Sequence, residues 1–316
     1  MCRDLRKGDM AMVEAARDLF PGFAARRLPG EGVEIFCRIG GEGPPLLLLH
    51  GYPQTHAMWH GIAGRLAEHF TVVAADLRGY GQSDAPAGDE GHHLYSKRVM
   101  ARDMIAVMRA LGHERFALVG HDRGGRVGYR LALDHPERLT GLAVLDILPT
   151  YDYWRNMDWR YAMAIYHWTF LAQPRPLPER LIAGAPEFYL DHTLASWTAT
   201  KDLSAFHPAA RADYLASFSQ PERQHAACED YRAGATVDMV LDTSDRESGH
   251  RIFCPVLALF GAAGLAGKTA LPLNTWSDWC DNVSAAGVEA GHFLVEENPQ
   301  GTLEVLLPFL LENAGA

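Results

Sequence analysis

Gly120-His121-Asp122-Arg123-Gly124 lies between the apolar run Phe116–Val119 and a helically spaced stretch, Arg126–Leu133. A small residue two places before and two places after a central nucleophile, on a strand-to-helix turn, is the nucleophile-elbow pattern. Asp122 stands where Ser is usual. The glycines follow from sterics, because side chains at those positions would strike neighbouring backbone. The following helix turns its N-terminal N–H groups toward the site. A plain βα turn closed by an N-capping Asp is the ordinary alternative. A dinucleotide loop fits less well, since Gly120, Gly124, Gly125 and Gly128 do not form GxGxxG.

Two further segments complete the chemistry. Leu46–Pro53 reads LLLLHGYP, a buried run ending in His50-Gly51. An oxyanion loop belongs there, with the Tyr52 backbone N–H pairing with that of Arg123; a simple strand-ending turn is the alternative. Ala290-Gly291-His292-Phe293 comes late, just before a terminal helix starting near Glu296. Taken alone a histidine is more often structural, but an elbow followed by a late histidine places His292 as general base. Asp146 ends the strand-like run Val144-Leu145-Asp146, while Phe260-Gly261-Ala262-Ala263-Gly264, closing the last expected strand, holds no acid; Asp146 is a candidate to orient His292, with a structural Asp as the alternative.

A carboxylate nucleophile favours saturated carbon. Asp122 would displace a leaving group in line, and water activated by His292 would then cleave the resulting ester. Arg123 follows the nucleophile, and Arg126 falls on the next helical turn. Two guanidinium groups suit a carboxylate substrate, unless they are solvated or serve acidic neighbours. They would also offset its repulsion from Asp122, roughly 4 kcal/mol at ~4 Å in an effective dielectric near 20.

The elements that must hold these residues are short apolar runs alternating with helices. Leu46–Leu49, Val72–Ala75, Phe116–Val119, Leu142–Leu145 and Val256–Phe260 read as buried parallel strands. Ala57–His69, Ser96–Leu111 and Arg126–Leu133 read as helices between them, an α/β pattern with helices on both faces of a sheet. From about residue 150 to 250 no strand is apparent. Aromatic residues and Pro174, Pro176 and Pro178 mark a helical insertion lying over the carboxyl ends of the strands. The expected division is a core of residues 1–149 and 251–316 and a cap of 150–250.

At 316 residues the chain buries about three quarters of its unfolded surface, so it needs no disulfide or metal to fold. A net charge of −10 argues against nucleic acid and means that an anionic substrate must meet local positive charge. No apolar run approaches the ~18 residues of a membrane helix, and residues 1–20 lack the apolar segment of a signal peptide. Cys2, Cys37, Cys228, Cys254 and Cys280 form no CxxC pair, which fits a reduced, cytoplasmic protein. HExxH and Cys/His finger spacings are absent, so no metal or other cofactor is expected.

HG near 50, GxDxG near 122, GHF near 292 and RGYGQSD (Arg78–Asp84) together resemble the α/β-hydrolase superfamily, in its epoxide-hydrolase and dehalogenase branch, over nearly the whole chain. HDRGGR, LDILPTYDYW, IYHWTFLAQP, LASWT, CEDYRAG and GHF narrow the likeness to the fluoroacetate (haloacetate) dehalogenase family. That resemblance implies hydrolytic dehalogenation of small 2-haloacids. It implies Asp122 as nucleophile, Asp146 and His292 completing the triad, and Arg123 and Arg126 holding the carboxylate. His167, Trp168 and Tyr231 would be donors to the leaving halide, Trp197 would line the pocket, and a homodimer is implied. Tyr52 departs from the family's commoner Phe. Fluoride, strongly hydrated in water, needs replacement donors in a dry site, and indole, phenol and imidazole N–H or O–H groups suit that need. By spacing alone the same aromatics also fit a cap core. An epoxide hydrolase, a haloalkane dehalogenase or a non-catalytic receptor for a small acid are the other readings; the arginines argue against the neutral substrates, and intact Asp122 and His292 against the receptor.

Overall fold

The computed structural model describes residues 18–264 and 271–315; Cys2 and most of the expected leaderless N-terminus lie outside them. Eight strands form one sheet in the order β1-β2-β4-β3-β5-β6-β7-β8. They are β1 (Ala24–Pro29), β2 (Glu34–Gly40), β3 (Pro45–Leu49), β4 (Thr71–Ala75), β5 (Phe116–His121), β6 (Leu139–Leu145), β7 (Val256–Gly261) and β8 (Val283–Val288). From β4 through β8 all neighbours are parallel, whereas β1 and β2 are antiparallel additions at one edge.

The five strands expected from sequence are the central ones, because burial on both faces makes continuous apolar runs. β3, β5 and β6 are buried almost throughout. β1, β2 and β8 were not expected. AARRLP is largely exposed, EIFCRIG mixes charge with apolar residues, and VSAAGV is built from small, half-exposed residues, so none carries that signature.

Helices α1 (His60–Leu66), α2 (Lys97–Ala110) and α3 (Arg123–Asp134) connect the first strands. Between β6 and β7 the regular elements of the described chain are all helices: α4 (Thr150–Arg155), α5 (Trp159–Ala164), α6 (Tyr166–Leu171), α7 (Leu177–Ala183), α8 (Pro186–Trp197), α9 (Pro208–Phe218), α10 (Pro221–Ala235) and α11 (Val237–Ser248). Helices α12 (Leu271–Ser277), α13 (Leu294–Glu297) and α14 (Pro299–Asn313) complete the chain.

The cap is tied to the core by buried charge. Asp230 of α10 meets Lys97 of α2 and Arg123 of α3, and Asp242 of α11 meets Arg130 at 2.5 Å. Within RGYGQSD the Tyr80 hydroxyl donates to Asp230 across the same junction at 2.7 Å, while Arg78 Nε donates to Asp103 inside the core at 2.6 Å. The four described cysteines are free thiols, and no described helix is long and apolar enough to cross a membrane.

Candidate active site

The turn from β5 into α3 holds Asp122 at φ 43°, ψ −111°, a conformation that costs a non-glycine residue on the order of 1–3 kcal/mol. Packing enforces it. A Cβ on Gly120 would lie 2.5 Å from the Gly124 backbone, and one on Gly124 would lie 2.4 Å from the Leu49 carbonyl. The elbow therefore presses against the end of β3. There the Tyr52 N–H donates to Asp122 Oδ2 at 3.0 Å. His50 fixes this loop: its Nε2 accepts from Leu77 N at 3.0 Å, which leaves Nδ1–H to donate to Gly51 O at 2.9 Å.

Asp146, at the end of β6, also sits at positive φ (50°). Its Oδ2 accepts from His292 Nδ1 at 2.6 Å and its Oδ1 from Gly261 N at 3.0 Å. The missing acid after β7 is part of this geometry. A Cβ on Gly264 would come within 3.0 Å of Asp146 Oδ1, so the small residues there leave room for a carboxylate from the neighbouring strand.

His292 is held from both sides. Its backbone N–H donates to Trp197 O of the cap at 2.9 Å. The Glu297 carboxylate accepts from Gly291 N and Phe293 N at 2.9 Å each and from Ala199 N, in the cap, at 2.7 Å. Burial alone would lower the imidazole pKa, but the Asp146 hydrogen bond and charge outweigh it and raise the group above its ordinary value. For Asp122 burial would raise the pKa, but His292, Arg126 and Arg123 outweigh it and hold the carboxyl below its usual range. Asp122 is thus ionised at neutral pH, and Nε2 is the nitrogen of His292 left for proton transfer.

These groups line a cavity of about 270 Å³ together with Arg126, His167, Trp168 and Trp197. That lies just below the roughly 300–1,000 Å³ of pockets for drug-sized molecules.

The two arginines separate. Arg126 lines the cavity, with Nε 3.8 Å from Asp122 Oδ1 and no hydrogen-bond partner. Its guanidinium lies over Trp168 at 4.5 Å and Tyr153 at 4.8 Å, while Nη1 is tied to Leu148 O and Thr150 Oγ1 at 3.1 Å. Arg123 is fully buried and gives Nε and Nη2 to Asp230, leaving only Nη1 unpartnered.

The aromatic residues gather as one cluster. The rings of Tyr52 and His167 are parallel at 6.3 Å, and Tyr231 stands edge-on to both, at 5.3 and 5.7 Å. Among the buried polar atoms here without partners are Tyr52 Oη, His167 Nδ1 and Tyr231 Oη. Burial lowers His167 to about 3, so it is neutral, and keeps Tyr231 protonated far above neutrality. Tyr153, Ser196 and Lys201 also line the cavity and were not singled out from sequence; nor were Asp230 and Glu297. Tyr153 and Asp230 lie inside segments that carried the family likeness, but motif order does not reveal which member faces the cavity. No group of three or more described His, Cys, Asp or Glu residues is arranged to hold a metal ion.

The model of the alpha/beta hydrolase fold matches residues 44–262, more than half of the chain. The chain belongs to the α/β-hydrolase family. It is 44% identical to fluoroacetate dehalogenase of Burkholderia sp over 292 residues, 92% of this chain and 95% of that one. It is 30% identical to soluble epoxide hydrolase of Corynebacterium sp. over 88% of this chain and 94% of that one. A solved structure from Nostoc sp PCC 7120, assigned to the alpha/beta hydrolases, superposes with TM-score 0.89 at 51% identity, covering 92% of this chain and 99% of the other. Within this α/β-hydrolase family the relatives thus include both dehalogenating and epoxide-opening enzymes.

Proposed function

We propose that the protein hydrolyses the carbon–halogen bond of small 2-haloacids, yielding the 2-hydroxyacid and halide. The observation that carries this reading is Arg126: a buried, partly unpartnered guanidinium in a cavity of about 270 Å³, beside an ionised carboxylate 3.8 Å away. A cavity with a fixed cation against its reactive carboxylate suits a short anionic substrate. The 44% identity to fluoroacetate dehalogenase supports it.

In this reading Asp122 is the nucleophile. The substrate carboxylate lies on Arg126, and Arg123, buried behind the cavity lining with Nη1 unpartnered, adds its positive charge. Oδ1 of Asp122 gives an electron pair to the halogen-bearing carbon; the carbon–oxygen bond forms, the carbon–halogen bond breaks, and halide leaves with its pair. No proton moves in this step. The departing anion takes hydrogen bonds from His167, Trp168 and Tyr231. His292 Nε2 then removes a proton from water, whose oxygen bonds to Cγ of Asp122. Negative charge develops on Oδ2, the oxygen that already accepts from the Tyr52 N–H at 3.0 Å. Breaking the Cγ–Oδ1 bond releases the 2-hydroxyacid, which takes its hydroxyl proton from His292, and the second proton of the water leaves the Asp122 carboxyl for solvent, restoring the carboxylate. Asp146 holds the imidazole in the tautomer and orientation that both transfers require. Trp197 closes the wall above His292, their rings edge-on at 5.4 Å.

We also take residues 150–250 as a cap domain over a core of 1–149 and 251–316, and a cytoplasmic homodimer as the working form. An epoxide hydrolase reading draws on Tyr153, whose phenol lines the cavity and could protonate an opening epoxide. The two separate on substrate. Halide and 2-hydroxyacid released stoichiometrically from fluoro- or chloroacetate support the first. Turnover of small neutral epoxides, with none of haloacids, would replace it by the second.

A further inference from the structure

Only two of the cavity's described lining residues carry a permanent positive charge: buried Arg126 and exposed Lys201. Lys201 therefore stands where the cavity meets solvent. It follows helix α8, whose last residues Ser196 and Trp197 also line the cavity. Lysine is uncommon at positive φ, yet Lys201 has φ 62°.

The loop around it is tightly built. Asp202 Oδ1 accepts from Ser204 N at 2.9 Å, Ser204 Oγ at 2.6 Å and Thr200 Oγ1 at 3.0 Å. Ala199 N is held by Glu297, and Trp197 O by His292 N. The strained lysine is thereby fixed to the same structure that fixes His292. Its Nζ donates to Ser196 O at 2.8 Å. The last carbonyls of a helix have no partners within it and carry the negative end of its dipole. Left bare at the cavity mouth, they would repel an anion, as does a chain of net charge −10.

We propose that Lys201 is a specificity-determining residue that draws small carboxylate anions into the cavity, by covering the carbonyl end of α8 and adding positive charge at the mouth. This rests on the haloacid reading above. It concerns capture of the anion, not the bond-breaking step.

Lys201→Asn removes the charge and keeps a residue that tolerates positive φ; Lys201→Arg keeps the charge. Steady-state kinetics on chloroacetate at low and at high sodium chloride test the idea. For the wild type, kcat/KM should fall as salt rises. Lys201→Asn should raise KM about fivefold at low salt, with a smaller change in kcat, and should flatten the salt dependence. Lys201→Arg should restore both. Wild-type KM and salt dependence in Lys201→Asn would overturn the proposal, as would Lys201→Arg behaving like Lys201→Asn. Absence of halide release by the wild type overturns the haloacid reading itself, a result no Lys201 variant can mimic.

Discussion

Arg123 gives its Nε and Nη2 to the two carboxylate oxygens of Asp230, at 2.9 and 2.6 Å, with both side chains buried. Lys97 and the Tyr80 hydroxyl share the same carboxylate. Burial would raise the Asp230 pKa, but Arg123 and Lys97 hold it far below the usual range. The guanidinium nearest to the nucleophile in sequence therefore has its own counter-ion, delivered by cap helix α10.

It follows that the two arginines contribute differently. Arg126→Leu should raise KM for chloroacetate by about 10- to 100-fold, as expected for one lost charge-assisted hydrogen bond. Asp230→Asn should act first on stability, because it leaves Arg123 and Lys97 buried without their counter-charge. Urea denaturation should show a loss of ~3–5 kcal/mol. Unchanged stability in Asp230→Asn would mean that water reaches this junction.

Tyr231 tests the halide donors with least disturbance, since its hydroxyl has no partner in the protein. Trp168 is a poorer site because its ring also supports Arg126 at 4.5 Å. Tyr231→Phe should slow release of fluoride more than of chloride, lowering the ratio of fluoro- to chloroacetate turnover about tenfold, or ~1.4 kcal/mol. Parallel losses would reduce Tyr231 to a wall of the pocket.

The pH profile follows from His292. A general base works unprotonated, and the Asp146 carboxylate raises its pKa above 6.5. The acid limb of kcat should therefore lie above 6.5. Asp146→Asn removes both hydrogen-bond acceptor charge and orientation, so kcat should fall and the limb should move to lower pH.

Glu296, four residues after His292, is buried and accepts from Tyr214 Oη at 2.9 Å and from Gln54. Burial outweighs both bonds and raises its pKa from 4.5 to about 8. A folded pKa above the unfolded one means that stability is complete below 4.5 and is lost as pH rises through 8. A contribution on the order of 5 kcal/mol should be lost over that window. Glu296→Gln should flatten the pH dependence of thermal unfolding. An unchanged slope would show that other groups set it.

How much of this was legible in the sequence depends on how local each signal is. The elbow at Asp122, the loop at Tyr52 and the five central strands are written in contiguous residues. Asp146 was reached by noticing that residues 260–264 hold no acid; in the structure its Oδ2 lies 2.6 Å from His292 Nδ1. The outer strands escaped because β1 and β2 mix charge with apolar residues and β8 is built of small, half-exposed ones. Asp230, Lys201 and Glu297 escaped for another reason. Asp230 and Glu297 bond across segments distant in sequence, and Lys201 faces a cavity lined by distant segments; no spacing rule connects Asp230 to Arg123, 107 residues away.

The central claim is that the oxygen of Asp122, not water, first bonds to the substrate carbon. A single turnover of wild-type enzyme, in excess over chloroacetate and in water enriched in heavy oxygen, tests it directly by mass analysis of the product and of the peptide containing Asp122. The account predicts an unlabelled 2-hydroxyacid in the first turnover and one heavy oxygen in the Asp122 carboxylate. Heavy oxygen in the product at once, with none on Asp122, would mean that water attacks the substrate directly and would contradict it.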